Sequence, residues 1–189
     1  FGEGDNIPGK YQLRIDFSDG TVLVFTVAMY GSIACADGSY DNEYYIVSKN
    51  SISPISPEFD HTYFFGLLDS AKPNLSAKAF LATKQRIPGL GNGVLQDILF
   101  EAGIHPKKKI GSFTEHEKEL LFVSIKEVLS EMVRLRGRDT EKDLWGNPGG
   151  YKTKLSKNTY KDGCPKCGGE ITKAAYLGGT VYFCPECQT

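Results

Sequence analysis

The chain has 189 residues, 40% hydrophobic and 24% charged, which is the balance of an ordinary globular protein of one to two small domains. It contains no run of about eighteen apolar residues, which excludes a membrane-spanning helix, and it opens Phe1-Gly2-Glu3 with no signal-peptide pattern and no initiator Met, as a fragment or processed form does. The net charge of −1 hides an uneven spread: residues 1–75 carry 4 basic and 10 acidic side chains, residues 76–150 carry 12 and 10, and residues 151–189 carry 6 and 3, so an anionic partner is expected to dock on the C-terminal half.

Residues 10–17 place Tyr11, Leu13, Ile15 and Phe17 at a strict period of two, which predicts a strand with one buried face. Ser18-Asp19-Gly20 supplies a turn, and the apolar, β-branched run over 21–30 predicts a buried partner strand. Further short strands are expected at 32–36 and 43–47, with Cys35 as a buried structural thiol. Two Ser-Pro steps in 51–57 mark a boundary, after which the period becomes helical. Helices are predicted over 58–69, over 77–83 with Ser76 as N-cap, and over 93–102 with Gly103 as the stop. Thr114 and Glu117 have capping-box spacing and open a long helix to about residue 135, with Leu120, Leu121, Ile125, Val128, Leu129, Met132 and Val133 as its apolar stripe. Residues 136–157 are rich in Gly, Lys and Asp with little periodicity and read as an ordered loop or a mobile tether.

Four of the five cysteines form two C-x-x-C pairs, Cys164/Cys167 and Cys184/Cys187, separated by sixteen residues. That spacing is a metal pattern, and without a secretion signal metal is favoured over disulfides or a redox pair. Pro165 and Pro185 inside the pairs, and Gly168-Gly169 after the first, suit the tight turns of ligand knuckles. Between them, 170–176 and 180–183 read as two strands, giving a hairpin clamped by one Zn2+. Four thiolates leave no open coordination position, so the ion is expected to be structural. It replaces a core that about forty residues cannot build.

Pro88-Gly89-Leu90-Gly91-Asn92-Gly93 is a glycine-rich turn that leads into a helix, and free N–H groups at such a start attract phosphate. Its spacing is neither a Walker loop nor a dinucleotide fingerprint, so no nucleotide cofactor is expected.

Residues 86–106, Arg-Ile-Pro-Gly-Leu-Gly-Asn-Gly-Val-Leu-Gln-Asp-Ile-Leu-Phe-Glu-Ala-Gly-Ile-His-Pro, closely resemble the helix–two-turn–helix motif of the formamidopyrimidine-DNA glycosylase and endonuclease VIII family. Residues 178–188, Gly-Gly-Thr-Val-Tyr-Phe-Cys-Pro-Glu-Cys-Gln, resemble that family's zinc finger, and the order and separation of the two match. The resemblance covers about 57–189, and 10–47 look like later strands of the family's N-terminal β-sandwich. It implies an α+β fold: a partial antiparallel β-sandwich (1–53), a helical helix–two-turn–helix DNA-binding domain with its loop (54–150) and a four-cysteine zinc finger (151–189). It implies base-excision repair chemistry, in which a damaged base is flipped out, excised, and the abasic strand cleaved through a Schiff base on an N-terminal proline amine.

Three departures qualify that implication. Phe1-Gly2-Glu3 does not match the family's Pro-Glu start, so the nucleophile is expected outside these residues and no catalytic residue is assigned. The hairpin position five before the third cysteine, where the family carries a phosphate-gripping Arg, is Gly179. The family's Arg-Arg-Phe-Gly stretch corresponds to Ala28-Met29-Tyr30-Gly31, which leaves Met29 to wedge into the base stack.

The expected partner is therefore double-stranded DNA, damaged or abasic, with no membrane, contacted by Asn92, Gly91, Gly89, Lys108 and Met29, in the cytoplasm and, if the source is bacterial, at the nucleoid. Lys107-Lys108-Lys109 fits a phosphate path or a solvated run equally. His105 reads as a structural histidine, Lys84 receives no role, and Trp145 suits either base stacking or anchoring of the loop. Two other readings stand beside the glycosylase: a non-catalytic duplex-binding module of the same family, and a zinc-ribbon protein-interaction module.

Overall fold

The structure is a computed structural model, and it describes residues 1–27 and 31–189. Two compact units divide at residue 40, one of residues 1–40 and one of residues 41–189.

The first unit holds an antiparallel hairpin of β1 (Leu13–Asp16) and β2 (Val22–Phe25), in the register Leu13↔Phe25 to Asp16↔Val22. Asp19 closes the turn by accepting from the backbone N–H (2.9 Å) and hydroxyl (2.7 Å) of Thr21. The hairpin expected at this place is present, with shorter strands. Its expected burial is not: Leu13, Ile15 and Phe17 are exposed, because a two-stranded ribbon has no second layer to cover it. Residues 32–36 are not a strand and Cys35 is exposed, which corrects both expectations; where no strand forms there is no sheet face to bury the thiol.

The second unit opens with a further correction. The strand expected at 43–47 is a helix, α1 (Glu43–Asn50). Asn42 caps it by accepting from the Tyr45 N–H at 3.1 Å, and Glu43 and Lys49 complement its dipole at either end. Then follow α2 (His61–Ser70), α3 (Ala77–Ala82), α4 (Leu95–Glu101) and α5 (Glu115–Arg134). α2 starts three residues later than its periodicity suggests because Asp60 takes the cap, accepting from Tyr63 N–H at 2.8 Å. Ser76 caps α3, and Thr114 with Glu117 forms the expected capping box on α5. The α5 stripe is narrower than the pattern: Leu121, Ile125, Val128 and Met132 are buried, whereas Leu120 and Val133 are exposed.

These helices enclose a core of Phe59, Phe64, Phe80, Leu81, Leu95, Ile98, Leu99, Leu121 and Ile125. A smaller apolar cluster joins Phe100 of α4 to Leu155, Ile171, Tyr182, Cys164 and Cys184. Helix α4 is thus shared, with Leu95, Ile98 and Leu99 facing the helices and Phe100 facing the zinc segment. There β3 (Thr172–Tyr176) and β4 (Gly179–Phe183) pair antiparallel, from Thr172↔Phe183 to Tyr176↔Gly179.

Of the two readings of residues 136–157, the ordered loop holds. Gly150 N–H bonds Leu135 O (2.8 Å), Tyr151 N–H bonds Gly137 O (3.0 Å), and Asp139 N–H bonds Tyr151 O (2.8 Å). Thr153 and Leu155 are buried. Among the described residues no helix is long and apolar enough to cross a membrane.

Candidate metal centre and nucleic-acid interface

The four cysteine sulfurs converge, all within 4.8 Å of one another. Sγ of Cys164 lies 3.8 Å from that of Cys187, and Sγ of Cys167 lies 3.6 Å from that of Cys184. A tetrahedral zinc with Zn–S bonds of about 2.3 Å requires sulfur–sulfur edges of about 3.8 Å, so the donor set fits the ion in chemistry and in span. The knuckles are built by local bonds: Gly168 N–H to Cys164 O (2.8 Å), Cys164 N–H to Gly169 O (2.7 Å), and Gln188 N–H to Cys184 O (3.0 Å). Burial opposes ionising Cys164, but the backbone N–H groups of Cys167 and Lys166 outweigh it and bring the thiol down to about 7. Cys187 is pushed up to about 12, first by its hydrogen bond with Cys167 and then by burial. A dication bound among these sulfurs favours their thiolate form. The cluster is a single structural zinc site.

The zinc segment is docked on helix α4 by side chains far apart in sequence. Gln96 is buried; its Nε2 donates to Thr180 O and to Asn92 O, both at 3.0 Å, and its Oε1 accepts from Tyr182 N–H at 3.0 Å. Gln188 does the same for the second knuckle, accepting from Cys184 N–H (2.9 Å) and donating to Ile104 O (3.0 Å). Lys166, inside the first knuckle, caps the C-terminal end of α4 by donating to Phe100 O at 3.0 Å. Burial of Glu101 opposes its ionisation, yet the ammonium groups of Lys154 (2.6 Å) and Lys166 (3.2 Å) outweigh burial and hold its carboxyl below the ordinary range. Asp97 accepts from the N–H groups of Lys154 (3.0 Å) and Leu155 (2.8 Å); burial prevails over both bonds and raises its pKa. Sequence reasoning missed Gln96, Asp97 and Gln188. The available signal was polar residues on the apolar face of a helix and beside a ligand cysteine.

The glycine-rich turn meets the hairpin directly. Asn92 donates from Nδ2 to Thr180 O at 3.0 Å. A Cβ on Gly179 would stand 3.2 Å from the Asn92 amide, so the small residue permits this approach. The space a side chain would take at Gly89 and at Gly91 is open, leaving that backbone accessible. At Gly93 the same space is filled by the guanidinium of Arg138, which is also paired with Glu141.

Of the other expected contacts, Lys108 is half-buried and ion-paired with Glu117, the residue that closes the α5 capping box. Met29 lies outside the described residues. His105 packs edge-on against Phe183 with ring centres 4.4 Å apart, a structural place. Lys84 stands in the left-handed region at φ 60°. Trp145 is 81% exposed at the tip of a turn in which Asp143 accepts from the N–H groups of Trp145 (2.9 Å) and Asn147 (2.8 Å).

With this geometry in view, the comparisons with known proteins are specific. Residues 51–143 match the model of the formamidopyrimidine-DNA glycosylase H2TH domain. The formamidopyrimidine-DNA glycosylase of Histophilus somni (strain 2336) is 34% identical over 151 residues, covering 78% of this chain and 55% of that protein. The crystal structure of the MutM (Fpg) protein of Thermus thermophilus superposes with a TM-score of 0.63 at 32% identity, over 73% of this chain and 53% of that one. The Lactococcus lactis Fpg in complex with DNA containing an abasic site superposes with a TM-score of 0.75 at 27% identity, over 100% of this chain and 69% of that one. The chain spans about half the length of the curated relatives it matches.

Proposed function

The chain belongs to the formamidopyrimidine-DNA glycosylase family, and on that premise we propose that it is the duplex-binding portion of a base-excision DNA glycosylase with abasic-site lyase activity. Residues 54–150 act as the helical binding domain and 151–189 as the zinc finger that braces it. The observation that carries this reading is the bond from Asn92 to Thr180, which holds the glycine-rich turn and the zinc hairpin as one surface. Two open glycine backbones and an Asn amide, all able to donate, suit the acceptor oxygens of a phosphate. The Lactococcus lactis relative, solved on abasic DNA, supports damaged or abasic duplex as the partner. Zinc-bound thiolates persist in a reducing compartment, which supports an activity in the cytoplasm beside chromosomal DNA.

The division of labour follows from the residues. Zinc holds the hairpin and leaves no position for substrate; the turn grips the backbone. Gly179, where the family resemblance implies an Arg, favours a second reading, a non-catalytic duplex-binding module of the same family.

Fluorescence anisotropy with a labelled duplex containing a tetrahydrofuran abasic analogue tests the binding. The zinc-loaded chain is expected to bind, with an affinity that falls as salt rises; no binding at low salt overturns the proposal. Borohydride trapping on abasic DNA, using a gene product that carries a Pro-Glu start ahead of these residues, separates the two readings. A covalent adduct supports the glycosylase, and binding without an adduct supports the module.

A further inference from the structure

The turn end of the β3–β4 hairpin lies beside two cations that have no carboxylate partner among the described residues. Lys78 of α3 is 3% exposed, and its ammonium donates to the carbonyl oxygen of Tyr176. Lys107 is exposed, with Nζ 5.3 Å from the centre of the Tyr176 ring, and Nζ of Lys78 lies 5.8 Å from the same ring. Lysines that do pair with a carboxylate, such as Lys108, Lys118, Lys154 and Lys166, are all more exposed than Lys78. Burial alone weakens the hold of Lys78 on its proton. Buried charges in proteins are ordinarily paired, so the buried ammonium of Lys78, with the exposed one of Lys107 beside the same ring, invites an anion. The start of the Lys107 segment is held by His105, whose Nδ1 accepts from the Lys107 N–H at 3.1 Å.

The position of this cation pair matters. Tyr176 is the register partner of Gly179, and Gly179 packs against the Asn92 amide. The two lysines and the glycine-rich turn therefore meet at the same end of the hairpin. We infer that Lys78 and Lys107 form a second phosphate site, which takes a backbone phosphate of the duplex and supplies the cation that Gly179 does not. The exposed Lys107 reaches the phosphate. Lys78 is a positioning residue: it fixes the turn through the Tyr176 carbonyl and adds a positive field behind it. The surroundings favour nucleic acid over an acidic peptide, because Asn92 and the open glycine backbones extend the row of donors as a repeating phosphate chain requires. The inference rests on the duplex-binding reading above.

The test compares the zinc-loaded chain with Lys107→Ala, Lys107→Arg and Lys78→Met, by anisotropy on an undamaged fluorescein-labelled duplex from about 50 to about 200 mM salt. Lys107→Ala is expected to bind about tenfold more weakly at the low end, and to lose about 0.9 from the slope of log affinity against log salt. Lys107→Arg restores both. Lys78→Met, checked for one zinc per chain, weakens binding while Lys107 is still present. A Lys107→Ala protein with wild-type affinity and slope overturns the phosphate site and leaves duplex binding standing. A wild-type chain that does not bind overturns both. Should Lys78→Met fail to hold zinc, the Lys107 pair of variants decides alone, since a merely structural role does not change a salt slope.

Discussion

The side-chain amide of Asn92 is bonded to the carbonyl oxygen of Thr180 at 3.0 Å, across 88 residues of chain. The residue proposed to grip phosphate is therefore held in place by the zinc hairpin. The four-cysteine cluster, hairpin and turn form one chain of contacts, and each can be tested separately.

Replacing Asn92 by Ala removes a backbone-positioning donor and no base contact. Affinity for intact and abasic duplex should fall by a similar factor, because phosphate contacts position without specifying. Parallel anisotropy titrations of the two duplexes check this, and a loss confined to one of them contradicts it. Thr180 O keeps its bond from Gln96, so the fold should survive the change.

Gly179→Arg supplies the cation that the family resemblance implies at this position. The new Cβ stands 3.2 Å from the Asn92 amide, so that side chain must give by a few tenths of an ångström. The expected result is tighter duplex binding with a steeper salt dependence, by about 0.9 in slope for one added phosphate contact. An unchanged slope would show that position 179 does not face the duplex.

Gln96 satisfies the Tyr182 N–H and bonds two carbonyls while almost wholly buried. Gln96→Ala leaves that N–H without a partner, at a cost of about 2–3 kcal/mol in unfolding free energy. Urea denaturation measures it. The same variant should bind duplex more weakly, since Asn92 loses its neighbouring brace.

Glu117 is an acid-sensitive element of the fold. Burial opposes its ionisation, but the ammonium of Lys108 and the N–H of Thr114 outweigh burial and hold its carboxyl below the ordinary value of 4.5. A depressed carboxyl stabilises the folded state above its unfolded value and loses that contribution as pH falls through its folded one. The stability gap between wild type and Glu117→Gln should therefore be full near neutrality and narrow below about pH 4.5. Urea titrations at stepped pH give the gap, and one that widens toward acid contradicts the assignment.

What could be read from the sequence was local. The Thr114–Glu117 capping box, Ser76 as a cap and Gly103 as a stop depend on neighbours within one turn, and each stands where the pattern puts it. The two C-x-x-C pairs were legible because metal geometry constrains their spacing. The error at 43–47 arose because Glu-Tyr-Tyr-Ile-Val fits a strand by propensity, whereas the Asn42 cap and the charges at either end decide for helix. Leu13, Ile15 and Phe17 showed the correct period but not their exposure, which depends on layers that a two-residue repeat does not specify. Gln96, Gln188 and the Lys78–Tyr176 contact join segments more than eighty residues apart, and no local pattern announces such pairs.

The most direct test is a salt titration of duplex binding by the zinc-loaded chain, repeated after the metal is removed with a chelator and again after zinc is restored. The account predicts salt-dependent binding that is lost with the metal and recovered with it, because the hairpin that holds Asn92 depends on the four thiolates. Binding that is indifferent to zinc, or absent at low salt with zinc in place, would contradict it.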